Sequence, residues 1–184
     1  MDRDAAARAI DAFLRALDRD PRSEPDLAGT ADRVARAFVD DLMSGYAVDV
    51  DALLSHSVLS GRSDVVTVRD IPVATMCPHH LMPSVGYAVV AFAPREHLVG
   101  FGAVSRVVGA YGKRLALQEQ IAENVVDAID KHLRPRWVAC RIVLTHSCMR
   151  TSGGGSHDGP VETVALIGPD EDRCTAHLAV GLGR

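Results

Sequence analysis

The sequence contains few cysteines, few aromatic residues and no long apolar run. Only four of its 184 residues are cysteine, and 4% are aromatic. No apolar stretch approaches the ~20 residues that a membrane-spanning helix requires. The first ten residues include acids and lack an apolar core, so we expect neither a membrane span nor a secretory signal. A chain without an export signal is expected in the reducing cytoplasm, where disulfides are uncommon.

Basic residues are not in excess either. Lys and Arg number 20 against 24 for Asp and Glu, which gives a formal charge of −4. Because phosphate contacts need an excess of cations, this balance excludes a broadly basic nucleic-acid binder. The chain has 47% hydrophobic and 24% charged residues, which is typical of a globular domain that buries roughly 70% of its unfolded surface.

Hydrophobic periodicity divides the chain at about residue 63. Before that point apolar residues recur at helical spacing, which predicts one helix around Ile10 to Leu17 and a second from Thr30 to Met43. After it the period changes to two, as in strands. We therefore predict an N-terminal helical segment, 1–63, and a second segment, 64–184.

The second segment is expected to contain two strand pairs and a helix pair. Both faces of the predicted strand at 85–93 are apolar, which indicates burial on two sides. This order favours an α+β fold with an antiparallel sheet. The predicted strands are 65–68, 85–93, 138–148 and 161–167, the predicted helices lie around 104–111 and 121–133, and residues 71–77 are expected to form a loop.

Two short Cys/His clusters point to a metal site. Cys77 and His80 have the C-x-x-H spacing of a tight ligand turn. His146 and Cys148 are two residues apart in a predicted strand, so they would point to the same face. Soft thiolates with imidazole favour Zn²⁺. The other two cysteines, Cys140 and Cys174, are expected to be inert buried thiols.

Three readings of these clusters remain open. If Cys77, His80 and Cys148 hold zinc with a water in the fourth position, the site is catalytic. Zinc then lowers the pKa of the water to about 7, and His79 and His146 are placed for acid/base work. Alternatively, His146 is the fourth ligand of a closed structural site, or the two adjacent histidines merely lie in a polar turn.

With these residues identified, the chain resembles the GTP cyclohydrolase I family from about Phe13 to Gly168. The segment TADRVARAFVDDLMSGY is similar to the family's N-terminal helices. The segments that carry the motifs are CPHH, like the family's C-E-H-H; GFGAVSR, like G-L-S-K-x-x-R; ALQEQ, like Q-V-Q-E-R; and HSCM, like H-x-C-M.

The resemblance implies a fold, a reaction and an assembly. The fold would be the tunnelling fold, with an antiparallel sheet, a packed helix pair and an N-terminal helical segment. In the family, zinc-activated water adds at C8 of GTP, the imidazole ring opens, formate leaves, and the ribose rearranges before a pterin ring closes. Subunits would form a decamer with active sites between them.

The resemblance also assigns residues by position. Cys77, His80 and Cys148 would bind zinc, and His79 and His146 would be the catalytic histidines. Glu119 would accept hydrogen bonds from guanine, with Gln118 beside it. The remaining substrate-binding candidates, which would contact the phosphates, are Arg106, Arg33 and Arg150.

The departures from the family pattern concentrate in the phosphate site. Gly102 and Ala103 replace the Ser and Lys of G-L-S-K-x-x-R, and Ser152 replaces an Arg after H-x-C-M. Arg150 would compensate in part if it stays on the same strand face. Pro78 and Gln120 replace a Glu and an Arg without touching the metal cluster.

Because of these departures, two classes of substrate remain possible, and so does one function without catalysis. The sequence predicts a zinc-dependent cyclohydrolase that opens a purine at C8, acting on GTP or on a less phosphorylated purine such as a nucleoside, 8-oxoguanine or urate. The alternative is a non-catalytic zinc- and purine-binding protein. Related nitrile reductases use a Cys nucleophile without zinc, and the paired Cys/His clusters argue against that chemistry. The loop from Gly153 to Gly159 has no assigned role.

Overall fold

A computed structural model describes residues 1–55, 58–59, 64–151 and 159–182. Its contacts divide the chain into two compact units, Met1–Ser44 and Gly45–Arg184. The division predicted at residue 63 rests on sequence periodicity and stays a prediction. No helix in the described part of the chain is both long and apolar enough to cross a membrane.

The first unit is helical. Helix α1 (Arg3–Ala16) begins at Asp2, whose carboxylate accepts a hydrogen bond from the Ala5 amide and so satisfies one of the free amides at the helix start. Helix α2 (Thr30–Arg36) begins where the sequence predicts it. The chain then continues as a π-helical segment, Ala37–Leu42, so the second predicted helix is regular only in its first half.

The second unit contains a sheet and the remaining helices. Its strands are β1 (Val58–Leu59), β2 (Val66–Met76), β3 (Pro83–Ala93), β4 (His97–Leu98), β5 (Trp137–His146) and β6 (Val161–Ile167). Its helices are α3 (Val50–Ser55), α4 (Phe101–Gly112), α5 (Gln118–Leu133), α6 (Ser147–Thr151) and α7 (Arg173–Ala179).

Four strands form one antiparallel sheet in the order β2-β3-β5-β6, and β1 pairs separately with β4. The α+β class, the antiparallel sheet and the helix pair are confirmed. The strand predicted at 85–93 lies within β3, and it is buried on both faces over residues 88–93 as predicted, whereas Val85 and Tyr87 are exposed. Ala88, Val90 and Phe92 belong to the core that contains α4 and α5. Val89 and Ala91 belong to a smaller core on the other face, which also contains residues of β5 and the region of α7.

The strand predicted at 65–68 lies almost wholly within β2 but was predicted to end too early, and the loop predicted at 71–77 is wrong, because β2 runs from Val66 through to Met76. A bulge between Val68 and Ile71, with Asp70 at φ +53°, interrupts the pairing without ending the strand. Pro72 is tolerated because β2 lies at the edge of the sheet, where a missing amide donor costs no ladder hydrogen bond.

Two further corrections concern the C-terminal half. Strand β5 ends at His146 rather than at residue 148, and the chain turns at once into α6. Cys148 therefore lies on a helical turn, and the two-residue strand alternation does not apply to it. Cys174 is exposed on α7 rather than buried, whereas Cys140 is fully buried as expected.

Candidate active site

The Cys77–His80 turn is closed by backbone hydrogen bonds. The Leu81 amide donates to the Cys77 carbonyl at 2.9 Å, and the Cys77 amide donates to the Met82 carbonyl at 3.0 Å. Leu81 has φ +52°, a left-handed conformation that turns the chain back into β3. This local fold brings Cys77 Sγ to 3.7 Å from His80 Nδ1, as the C-x-x-H spacing predicts.

Cys148 reaches the same place from α6. The side-chain donor atoms of Cys77, His80 and Cys148 all lie within 4.8 Å of one another, and among the described residues they form the group that could hold a metal ion. Thr151 on α6 contacts the Cys77 turn, with its hydroxyl 3.3 Å from the Met82 sulfur. The sheet therefore brings together two clusters that are about 70 residues apart in sequence.

The donor set fits a tetrahedral ion. With Zn–S near 2.3 Å and Zn–N near 2.0 Å, tetrahedral geometry places sulfur and nitrogen about 3.5 Å apart, close to the 3.7 Å between Cys77 and His80. Burial raises the pKa of the Cys148 thiol, and the charge and hydrogen bond of Cys77 raise it further. A cation reverses that penalty, because metal binding stabilises adjacent thiolates.

His146 lies at the end of β5, beside this group but not in it. Its Nδ1 is 2.9 Å from the Ser84 hydroxyl oxygen, and its Nε2 is 2.7 Å from Gln118 Oε1. Both ring nitrogens are therefore engaged by protein groups. This arrangement favours the open reading of the site, with three protein ligands, over the closed reading in which His146 is the fourth.

His79 is exposed at the surface of the Cys77 turn. Its ring meets the ring of His80 edge-on, with the centroids 6.2 Å apart. It is close to the ligand group and open to solvent, which is consistent with exchange of a proton there.

Gln118 and Glu119 begin α5 and point in different directions. Gln118 is only 3% exposed and its amide bonds inward. Glu119 is exposed and lines a cavity of about 570 Å³ between α5 and β6. The same cavity carries the carboxylates of Glu123 and Asp127, so it is acidic. Glu119 is therefore open to this cavity, whereas Gln118 lies behind His146.

Arg106 lines a different cavity, of about 780 Å³, at the start of α4. Gly102 and Ala103, the two departures from the family pattern, line it too. A side chain at Gly102 would meet no atom within 4 Å of its Cβ. The cavity therefore has room for the missing Ser side chain, and Arg106 is the cation on its wall.

The other two arginines are placed differently. Arg33 lies in the helical unit, where its guanidinium donates to the Ala28 carbonyl at 2.9 Å and to the Thr30 hydroxyl at 2.8 Å. Arg150 is exposed on α6. Because Arg150 is helical, the strand alternation that was expected to align it with Ser152 is wrong. Ser152 itself, and the loop up to residue 158, lie outside the described residues.

The sequence motifs did not identify Ser84. It is fully buried and is the cross-strand partner of His146 in the β3–β5 ladder. Only the register of that ladder reveals it, because no spacing rule connects positions 84 and 146.

Comparison with solved structures identifies the fold. The crystal structure of the archaeosine synthase QueF-Like in its apo form matches 59% of this chain and 98% of its own, with a TM-score of 0.50 and 18% sequence identity. At that identity the match supports the architecture alone. The sheet, its helix pair and the order of the strands are those of the tunnelling fold.

Comparison with curated sequences and family models identifies the family. Residues 6–179 match the model described as GTP cyclohydrolase I. GTP cyclohydrolase 1 of Allorhizobium ampelinum is 36% identical over 153 residues, which is 82% of this chain and 75% of the relative. The protein of the same name from Caldanaerobacter subterraneus is 34% identical over 169 residues, 91% of this chain and 89% of the relative. The chain belongs to the GTP cyclohydrolase I family, hydrolases that act on carbon–nitrogen bonds in cyclic amidines.

Proposed function

We propose that this protein is a zinc-dependent cyclohydrolase that hydrolytically opens the imidazole ring of a purine at C8. The observation that carries the proposal is the convergence of Cys77, His80 and Cys148 next to a histidine that is not a ligand. The substrate is GTP or a less phosphorylated purine, and the residues around Arg106 favour the second.

Cys77, His80 and Cys148 would hold zinc through two sulfurs and one imidazole, and the ion would supply a water of lowered pKa as a nucleophile near neutral pH. Around it, His79 and His146 hold and move protons. His79 is exposed, which leaves its ring open to solvent. His146 is held by Ser84 and Gln118 in one orientation beside the ligand group.

Glu119 is the proposed base-recognition residue. A carboxylate accepts two hydrogen bonds from adjacent N–H donors, such as the N1–H and 2-amino group of guanine, and adenine lacks that pair. The neighbouring carboxylates of Glu123 and Asp127 make this cavity repulsive to phosphate. The cavity therefore suits the base and not the phosphate end of a nucleotide.

This chain offers few cations to the phosphates of a nucleotide. A charge-assisted hydrogen bond contributes roughly 1.5–3 kcal/mol, so the loss of two cations weakens triphosphate binding about 10²- to 10⁴-fold if nothing replaces them. The cation that lines the Arg106 cavity is Arg106 itself. Lys113 follows seven residues later, which at a rise of about 1.5 Å per residue is about 10 Å farther along the helix axis. A nucleoside or free base needs neither cation.

We further propose a homo-oligomer, a decamer on the family pattern, with active sites between subunits. Within the described residues, β2 and β6 are the outer strands of the four-stranded sheet, so each has an outer edge that pairs with no further strand, apart from an isolated bridge between Met76 and Leu115. The Glu119 cavity and the Arg106 cavity share no lining residue, and neither includes a metal ligand. This separation supports a site that is completed by a second copy of the chain.

A panel of purines tests the function and the substrate together. Zinc-loaded protein is incubated in turn with GTP, guanosine, guanine, 8-oxoguanine and urate, and formate release and loss of purine absorbance are followed. Turnover of a nucleoside or free base faster than GTP supports the less phosphorylated substrate, whereas fast conversion of GTP to a fluorescent pterin contradicts it. A base already oxidised at C8 would be consumed without formate. If no purine is consumed although one zinc per chain is bound, the protein is a non-catalytic binding module.

Replacement of Glu119 by Ala tests the base site. Loss of two hydrogen bonds to a carboxylate predicts a fall in kcat/KM of about 10²- to 10⁴-fold for a guanine-like base. Glu123→Ala, one helical turn farther along the same cavity, is the matched control and should change kcat/KM less than about threefold. Equal effects of the two substitutions would show that Glu119 has no special contact with the base.

A further inference from the structure

The side-chain amide of Gln118 is fixed by its two donors. Its Nε2 donates to the Ile142 carbonyl on β5 at 2.9 Å and to the Val161 carbonyl on β6 at 3.0 Å. Both amide hydrogens are thereby used, and the side chain is 3% exposed. A flip of the amide would leave two backbone acceptors without donors, so the oxygen Oε1 must be the atom that faces His146.

This orientation decides which nitrogen of His146 carries a hydrogen. An amide oxygen only accepts, and it lies 2.7 Å from Nε2, so Nε2 must donate to it. In the neutral ring Nδ1 is then the acceptor. Its partner is the hydroxyl of Ser84, at 2.9 Å, which donates to it.

Strand register explains why Ser84 is in this position. Ser84 pairs with His146 across β3 and β5, and it pairs with Thr75 across β2 and β3. Cross-strand partners project to the same face of a sheet, so the three side chains form a row. Ser84 has no exposed surface, which keeps water from replacing its hydroxyl at Nδ1.

We propose that Ser84, together with Gln118, is a positioning residue that holds His146 as the Nε2–H tautomer in a single ring orientation beside the metal ligands. The inference rests on the proposed function only in assigning an acid/base role to His146. The two contacts grip opposite sides of the ring, so loss of either allows it to rotate. A ring that rotates no longer holds its hydrogen at one fixed place beside the metal ligands, and the cost falls on kcat rather than on substrate binding.

The kinetic test removes the Ser84 hydroxyl and compares it with a matched buried hydroxyl. Ser84→Ala should lower kcat by about 10- to 100-fold with KM within about threefold, the range for one hydrogen bond to an acid/base group. Thr75→Val removes a hydroxyl that is 2% exposed in the same row but bonds the Arg114 carbonyl, so kcat should stay within about twofold of wild type. Rates are measured with whichever of GTP, guanosine and 8-oxoguanine the wild type turns over. Equal kcat for Ser84→Ala and Thr75→Val would overturn the proposal.

A second measurement does not depend on activity. Neutron diffraction from perdeuterated crystals of the zinc-loaded protein locates the deuterium on His146 directly. Deuterium on Nε2, and a Ser84 hydroxyl directed at Nδ1, are the expected result, and a neutral ring with deuterium on Nδ1 alone would refute it. If the wild type turns over no purine, the proposed function fails while the neutron map still decides the tautomer.

Discussion

A lysine at position 103 should restore affinity for triphosphate. Ala103 lies in the first turn of α4 and lines the cavity that contains Arg106. Ala103 is 8% exposed, and the cavity of about 780 Å³ beside it accommodates a longer stem whose ammonium group reaches the mouth. The double variant Gly102→Ser, Ala103→Lys also returns the family's hydroxyl, for which the Gly102 site has space.

The size of the effect follows from one added contact. A charge-assisted hydrogen bond between Lys and phosphate contributes roughly 1.5–3 kcal/mol, which corresponds to a fall in Kd of about 10- to 150-fold. The positive end of the helix dipole opposes the new lysine by about 0.3–1 kcal/mol in the unbound protein. We therefore expect the dissociation constant for GTP to fall at least about tenfold, and that for guanosine to stay within about twofold.

Calorimetry in a His146→Ala background measures these constants without turnover. Ser105→Lys is the charge-matched control, since it adds the same charge to the same helix but does not line the cavity. It should improve GTP binding less than about threefold. If Ala103→Lys leaves GTP affinity unchanged in a protein with normal thermal stability, or improves guanosine equally, then the cavity is not a phosphate site and the argument for an altered substrate loses its basis.

Three further outcomes are expected. Cys148→Ser should lower bound zinc from about one ion per chain to near zero by elemental analysis, because it removes one of three ligands, whereas Cys174→Ser on the exposed face of α7 should not. Burial raises the pKa of the Cys140 thiol to about 12, so at pH 8 about 10⁻⁴ of it is the reactive thiolate. Iodoacetamide should therefore modify the exposed Cys174 in the folded protein but Cys140 only after unfolding, and mass spectrometry measures both. Leu81 has a left-handed backbone at φ +52°, which glycine adopts without strain and a β-branched residue does not. Leu81→Gly should therefore keep the zinc content and change the free energy of unfolding by less than about 1 kcal/mol. Leu81→Val should lower that free energy by about 1–2 kcal/mol, as measured by urea unfolding.

Local spacing was enough to predict the parts of the site whose geometry is local. The four residues from Cys77 to His80 close on themselves through backbone hydrogen bonds, so the separation of their ligand atoms hardly depends on the rest of the fold. The apolar character of both faces of β3 likewise predicted the burial of residues 88–93 between two cores, although it did not predict the exposure of Val85 and Tyr87. Both features depend on residues that are close together in the sequence, so periodicity and motif spacing predict them.

Features set by distant partners were missed or misread. Pro72 suggested a loop because proline is uncommon within strands. A strand accepts proline at the edge of a sheet, and only the strand order shows that β2 is an edge strand. Cys148 was assigned to a strand because nothing in its immediate sequence marks the turn after His146. The contact between Ser84 and His146 depends on the register between β3 and β5. The burial of Gln118 depends on the first turn of α5 lying against the carbonyls of Ile142 and Val161. No sequence motif encodes either contact.

Two glycines separate what the fold requires from what it merely allows. A Cβ at Gly86 would collide with the Val143 carbonyl on the neighbouring strand, so the sheet itself requires glycine there. A Cβ at Gly102 would meet nothing within 4 Å, so packing within the chain does not require glycine at that position. The fold would accept the family's serine, and the cavity beside Ala103 would accept its lysine. Since neither replacement relieves a clash, packing within the chain does not account for the absence of both side chains, which supports the proposed less phosphorylated substrate, while the group formed by Cys77, His80 and Cys148 keeps its geometry.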